Sequence, residues 1–262
     1  MIYILISLAS LACLLGIYWK KHTELKQSGS WAKQMFQKLH IKRQAANPHK
    51  TSQAEMLLLT PDQQKTLKET LMSAEAFFEN GDLDEAEKLY IQVLSLDDNH
   101  PEANMRLGLI YIKKQLAKKA EAIFRKILAT SPYDALATSN LALALYLQRN
   151  YEEAKEIYLK AIALDPGRGP RYINLAHVYR ELKDYDAAVQ AIHKAFTLEP
   201  QQNEYRLLLA ETYADMNNLS AARTIVQNIL KHDSEDTALR RNARTLLKRI
   251  DNKAGKEENA TS

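Results

Sequence analysis

Between residues 101 and 202 the apolar positions fall at helical spacing, and the helical stretches are punctuated by Pro132, Pro166 and Pro200 at a constant interval of 34 residues. Apolar residues three and four apart mark the buried face of a helix, and proline, lacking the N–H that would extend the ladder, marks where a helix stops. Other slots keep the same interval. A small residue stands 24 positions before each proline, at Gly108, Ala142 and Ala176, preceded by Leu107, Leu141 and Leu175. Ala120, Ala154 and Ala188 stand 12 before it, and Phe124, Tyr158 and Ile192 fill a large-residue slot. Antiparallel helices need small residues where their backbones cross and large ones to fill the gaps. The pattern therefore predicts repeated helix pairs.

The frame extends in both directions without insertion. One period earlier, Ala74, Phe77, Ala86, Tyr90 and Val93 occupy the expected slots with Asp98 in place of proline. One period later, Leu209, Ala210, Tyr213, Ala222, Val226 and Ile229 fit, with Ser234 in that place. Thr60-Pro61 with Gln63 has the form of a capping box, so the first helix starts early, about two turns before the frame requires. In this register the chain resembles the tetratricopeptide repeat family. The resemblance implies an all-α, right-handed superhelix of five helix pairs, at 61–100, 101–134, 135–168, 169–202 and 203–236. Turns within the pairs are expected at Asn80-Gly81-Asp82, Arg149-Asn150, Lys183-Asp184 and Asn217-Asn218, and Gly167-Arg168-Gly169-Pro170 reads as a turn or a hinge between two repeats. Residues 237–250 place Leu239, Ala243, Leu246, Leu247 and Ile250 on one stripe, but Arg244 occupies a slot that a sixth repeat would need small. This segment is expected to cap the solenoid, and 251–262 to be a disordered polar tail.

Ahead of the repeats, residues 2–19 are 18 positions without a charge, closed by Lys20 and Lys21. At ~1.5 Å per residue that length spans a hydrocarbon core of about 30 Å, and Tyr18 and Trp19 stand where an interfacial belt belongs. Basic residues follow the span and none precedes it, which predicts an external N-terminus and cytoplasmic repeats, as in a bacterial inner-membrane protein. The alternative is a secretory or lipoprotein signal ending near Cys13. In the basic linker 20–53, residues 31–43 set Trp31, Met35, Phe36 and Leu39 near one face. They read either as an amphipathic helix on anionic lipid or as a solvated linker.

Composition narrows the function classes. The 7 glycines and 7 prolines among 262 residues suit helix after helix, and a single cysteine leaves no disulfide framework or cysteine-rich metal site within one chain. The net charge of +4 is mild and much of the excess lies beside the apolar span, with no interleaving of aromatic and basic residues to suggest nucleic acid. The histidines lack ligand spacing, and neither a phosphate loop nor a dinucleotide fingerprint occurs. No catalytic residue, metal or cofactor is expected.

What the family resemblance implies instead is a concave surface on the first helix of each pair. Projected here, it is lined by Met105, Arg106, Leu109 and Ile112; by Ser139, Asn140, Leu143 and Tyr146; by Ile173, Asn174, His177 and Arg180; and by Leu207, Leu208 and Glu211. Such a groove suits an extended or helical peptide, with Asn140 and Asn174 available to its backbone. Chaperone-binding members hold a terminal carboxylate with lysine, asparagine and arginine at set slots. Here those slots carry Leu71, Glu75, Arg106, Leu136 and Asn140, so no such clamp is expected. The layout of an N-terminal anchor followed by repeats is also similar to the lipopolysaccharide assembly protein B family, without the paired cysteines of its rubredoxin-like metal module. The expected function is thus a membrane-anchored, non-enzymatic adaptor for a protein or peptide. The alternative is a periplasmic assembly factor of the pilus or cytochrome-maturation type.

Overall fold

The computed structural model describes residues 59–232 and 237–260. All of these residues belong to one compact unit. The apolar span 2–19 and the basic stretch 31–43 lie outside them. Among the described residues no helix is long and apolar enough to cross a membrane.

The described residues form 11 helices and no strand. They pair as α1 (Pro61–Glu79) with α2 (Leu83–Leu96), α3 (Pro101–Lys113) with α4 (Ala117–Thr130), and α5 (Ala135–Leu147) with α6 (Tyr151–Leu164). Then come α7 (Gly169–Glu181) with α8 (Tyr185–Leu198), α9 (Asn203–Asp215) with α10 (Leu219–His232), and a final α11 (Ala238–Ala260). Each helix packs on its chain neighbours, while α3 meets α5, α5 meets α7 and α9 meets α11. The first helices therefore form one layer and the second helices the other, as in a solenoid.

The local signals explain where the helices begin and end. Thr60 Oγ1 accepts from the Gln63 N–H at 3.3 Å while Gln63 Oε1 accepts from the Thr60 N–H at 2.9 Å. This reciprocal cap lets α1 run to 19 residues where α3, α5, α7 and α9 have 13. Inside every pair the turn repeats one geometry. The N–H groups of Asp82, Leu116, Asn150, Asp184 and Asn218 reach back to the carbonyls of Phe77, Tyr111, Leu145, Tyr179 and Tyr213 at 2.8–3.0 Å. The residue before each of them is left-handed, with φ of 81° at Gly81 and 59–64° at Gln115, Arg149, Lys183 and Asn217. This is a Schellman-type closure, free of steric cost only for glycine; a side chain there costs roughly 1 kcal/mol. The turn at Gln115 has no Gly or Asn to signal it, and sequence reading does not find it. Pro132, Pro166 and Pro200 follow the helix ends at Ser131, Asp165 and Glu199 and are exposed.

Packing follows the small and large slots. A Cβ at Gly108 would lie 2.7 Å from the Phe124 ring, so the crossing of α3 and α4 admits no side chain there. Tyr90, Phe124, Tyr158 and Ile192 are at most 1% exposed and fill the space between the layers. At the 167–170 junction Gly169 is buried because the Glu199 carboxylate closes over it. Oε1 accepts the Gly169 N–H at 3.0 Å and Oε2 the Tyr205 hydroxyl at 2.8 Å. Arg171 Nη1 adds bonds of 2.6 and 2.7 Å to the carbonyl and carboxylate of Asp165. The junction is pinned, which disfavours a hinge.

At the C-terminal end Ala243, Leu246 and Ile250 of α11 pack with Val226 and Ile229 of α10, leaving Arg241, Arg244 and Lys248 exposed. One expectation is corrected here: the segment after 250 is not a disordered tail but continues α11 to Ala260. Its first turn is tied down by Arg223–Asp251 at 2.6 Å and by Lys253 Nζ donating to the Ala214 carbonyl at 3.2 Å. Alanine, lysine and glutamate then favour continuation.

Candidate peptide-binding groove

The layer of first helices brings the sequence-predicted groove residues onto neighbouring helices, although they do not present equally. Met105, Arg106, Leu109 and Ile112 on α3, Asn140, Leu143 and Tyr146 on α5, and Ile173, Asn174, His177 and Arg180 on α7 are half-buried, as is Glu211 on α9. Ser139, Leu207 and Leu208 are buried. Leu208, at 6% exposure, belongs to the packing between the last two pairs and offers no side chain to a ligand, which corrects its place among the groove residues.

The face also carries residues that sequence reasoning left out. Met72, Leu136 and Leu147 are 65%, 54% and 41% exposed, large values for apolar side chains. Leu136, Asn140, Leu143 and Leu147 make one stripe along α5. Met72 stands one period before Arg106, and Leu147 one period after Lys113. Carrying the Arg106 slot back one repeat would have found Met72, whereas Leu147 lies outside the projected slots.

Two electrostatic environments divide the face. Near its beginning, Arg106 joins Glu75 through Nη2 at 2.9 Å and Nε at 3.0 Å, and Glu75 also accepts the Tyr90 hydroxyl at 2.5 Å. The Arg106 guanidinium and the Lys113 ammonium lie 4.8 and 4.5 Å from the Phe78 ring centre. Beyond this knot the α3 and α5 surface is apolar, with Asn140 Nδ2 spent on Met105 Sδ at 3.6 Å. Behind it the Tyr158 hydroxyl is buried without a formed hydrogen bond, and burial raises its pKa, with the Tyr146 hydroxyl adding to the shift and the neighbouring Asn174 amide opposing it.

The α7 and α9 surface is ionic. Arg180 reaches Glu211 through Nη1 at 3.0 Å and Asp215 through Nη2 at 2.7 Å, and Arg249 of α11 adds a 3.4 Å contact to Asp215. Burial works against the Arg180 charge, but the bonds and charges of Asp215 and Glu211 outweigh it, so the guanidinium is held above its ordinary pKa. Burial depresses the His177 imidazole, and the Arg180 charge adds to that effect. His177, Arg180, Glu181, Lys183, Tyr185 and Asp215 line an open depression of about 210 Å³. Within the set Arg180 and Asp215 are paired with each other, and no nucleophile has an adjacent base.

Comparison with known proteins agrees with this geometry. Tetratricopeptide repeat family models match residues 71–135, 135–168 and 179–247, which together cover more than half of the chain. Among solved structures, TTC0263, a thermophilic TPR protein of Thermus thermophilus, is similar with a TM-score of 0.58 and 24% identity, over 69% of this chain and 98% of that one. MamA (41-end) of Desulfovibrio magneticus gives 0.60 at 18% identity, over 66% and 98%. PilF of Pseudomonas aeruginosa gives 0.58 at 20% identity, over 74% and 88%. At these identities the likeness speaks to the fold. No curated protein matches the chain.

Proposed function

Because the chain belongs to the tetratricopeptide repeat family, whose members serve protein–protein interaction, we propose that it is a non-catalytic scaffold that holds a peptide segment of a partner on its inner face. The observation that carries this reading is the apolar stripe of the third repeat. Leu136 and Leu147 are about half exposed on a helix whose remaining faces are packed, and such exposure costs solvation unless a partner covers it. Met72, Met105, Leu109 and Leu143 extend the surface towards the first repeats. The face suits an apolar segment rather than a small molecule, since it is open along its length.

Residues 2–19 supply the second half of the proposal. Their length, lack of charge and following lysines support an anchor that keeps the repeats at the cytoplasmic face of a membrane, where tethering raises their effective concentration near membrane partners. Residues 31–43 would add a contact to anionic lipid.

The test is crosslinking in native membranes of the wild type against Leu143→Asp and Asn174→Ala. Loss of the same partner bands with unchanged circular dichroism supports the groove, and unchanged bands place binding on the outer helices or the loops. A C-terminal reporter active only outside the cytoplasm would overturn the topology and favour an exported assembly factor.

A further inference from the structure

The left-handed turn position recurs once per repeat, and the chain fills it differently along its length. The first pair uses Gly81, which meets the geometry without strain; the third and fourth use Arg149 and Lys183, at φ of 63° and 61°. A long charged side chain kept where glycine would be easier points to a use for that side chain.

Its surroundings indicate the use. Lys183 borders the same depression as His177 and Arg180, both on the inner face. Arg149 stands one period earlier, two residues past the exposed Leu147. Its charge acts on Tyr151, whose ring centre lies 5.6 Å from that of Tyr146. Both cations are exposed, and among the described residues neither is held in an ion pair. Three acids beside them are already engaged. Glu152 pairs with Lys155, Glu153 bonds Arg125 and Asn150, and Asp184 accepts the Ala187 N–H. Neighbouring cations of the same faces behave differently, Lys114 being paired with Asp84 and Glu87 and Arg180 with Glu211 and Asp215. Arg149 and Lys183 are thus two cations outside any ion pair among the described residues, Arg149 next to the apolar stripe of Leu136, Leu143 and Leu147 and Lys183 one period on, at the depression of the fourth repeat.

We propose that the segment bound at the third and fourth repeats is an amphipathic, acidic peptide, its apolar side chains covering Leu136, Leu143 and Leu147 and its carboxylates meeting Arg149 and Lys183. This deepens the groove reading and rests on it. A purely apolar peptide would leave the two cations unused, and a basic one would be repelled by them.

The experiment selects peptides from a phage-displayed random library on the full-length protein in mild detergent, in parallel on Leu147→Asp and on the double variant Arg149→Gly/Lys183→Gly. The glycines remove both charges while relieving the turns, so the double variant keeps its fold. The wild type is expected to enrich peptides with apolar residues at helical spacing flanked by Asp or Glu. The strongest of these, made synthetically and titrated by fluorescence anisotropy, should bind the double variant roughly tenfold more weakly and lose most of its salt dependence there. Enriched apolar peptides without acidic residues, or equal affinity for the double variant, overturn the acidic peptide and leave the groove reading standing. Failure of the wild type to enrich anything beyond Leu147→Asp overturns the groove reading itself.

Discussion

The third repeat and the fifth share a backbone path and a helical register, yet their inner faces are opposites. On α5 the stripe is Leu136, Asn140, Leu143 and Leu147, with two of its leucines about half exposed. On α9 the corresponding region holds buried Leu207 and Leu208, followed by Glu211 and Asp215 locked onto Arg180. One repeat exposes its apolar surface to solvent, and the other buries it and seals the rest with ions. In a solenoid each repeat answers only to its neighbours, so the lining can change between repeats without disturbing the path. The open half of the face is available for recognition and the closed half holds the end of the stack together.

Charge placed in each half should break this contrast most sharply. Leu208→Asp puts a carboxylate into the packing of the last two pairs and is expected to cost more than about 3 kcal/mol in urea unfolding. Leu143→Asp, on the open stripe, should cost less than about 1 kcal/mol while removing peptide capture. Equal costs would mean that both faces are structural.

Removing the central cation comes next. Arg180→Leu leaves Glu211 unpaired and Asp215 with only the 3.4 Å contact to Arg249, and should lose about 2–3 kcal/mol, since Arg180 is only 18% exposed. Adding Glu211→Leu and Asp215→Leu should recover much of that loss. The triple variant is then expected to lengthen the peptide footprint towards the fifth repeat, readable by hydrogen exchange with a selected peptide bound.

A smaller effect concerns acid. Burial and the Arg180 charge hold His177 below its usual 6.5. As pH falls, the unfolded chain takes up this proton first, so the contribution of His177 is full above 6.5 and is lost as pH drops through its depressed folded value. Thermal unfolding at about pH 7.5 and pH 5.5 should therefore show a smaller acid-induced drop for His177→Gln than for the wild type.

The smallest change separates turn from groove. Arg149→Gly relieves a left-handed side chain and should stabilise the fold by about 0.5–1 kcal/mol, whereas Gly81→Arg should destabilise it by a similar amount. Destabilisation by Arg149→Gly would mean that the arginine supports the fold through contacts of its own.

The architecture was legible because each of its causes is local or strictly periodic. Small residues at Gly108, Ala142 and Ala176, large ones at Tyr90, Phe124 and Tyr158, and the Thr60–Gln63 cap act over a few residues or one helix pair. The turn at Gln115 was missed because its geometry comes from the two helices it joins rather than from its own residue type. The helical continuation to Ala260 was missed because its anchors, Arg223 and the Ala214 carbonyl, are 28 and 39 residues distant. Of the groove, the slots were legible but their state was not. Asn140, Arg180 and Glu211 look equally available in the sequence, and one is spent on a methionine sulfur while the other two are spent on each other.

By itself, then, the amino-acid sequence determined the helix pairs, their period and the slots that face inward, because these follow from side-chain size and spacing along a single helix or between consecutive ones. Only the tertiary structure decided which inward side chains remain free. That depends on which partner arrives from the neighbouring repeat: Glu211 and Asp215 to close Arg180, and, among the described residues, no carboxylate to close Arg149, Lys183 or the leucine stripe.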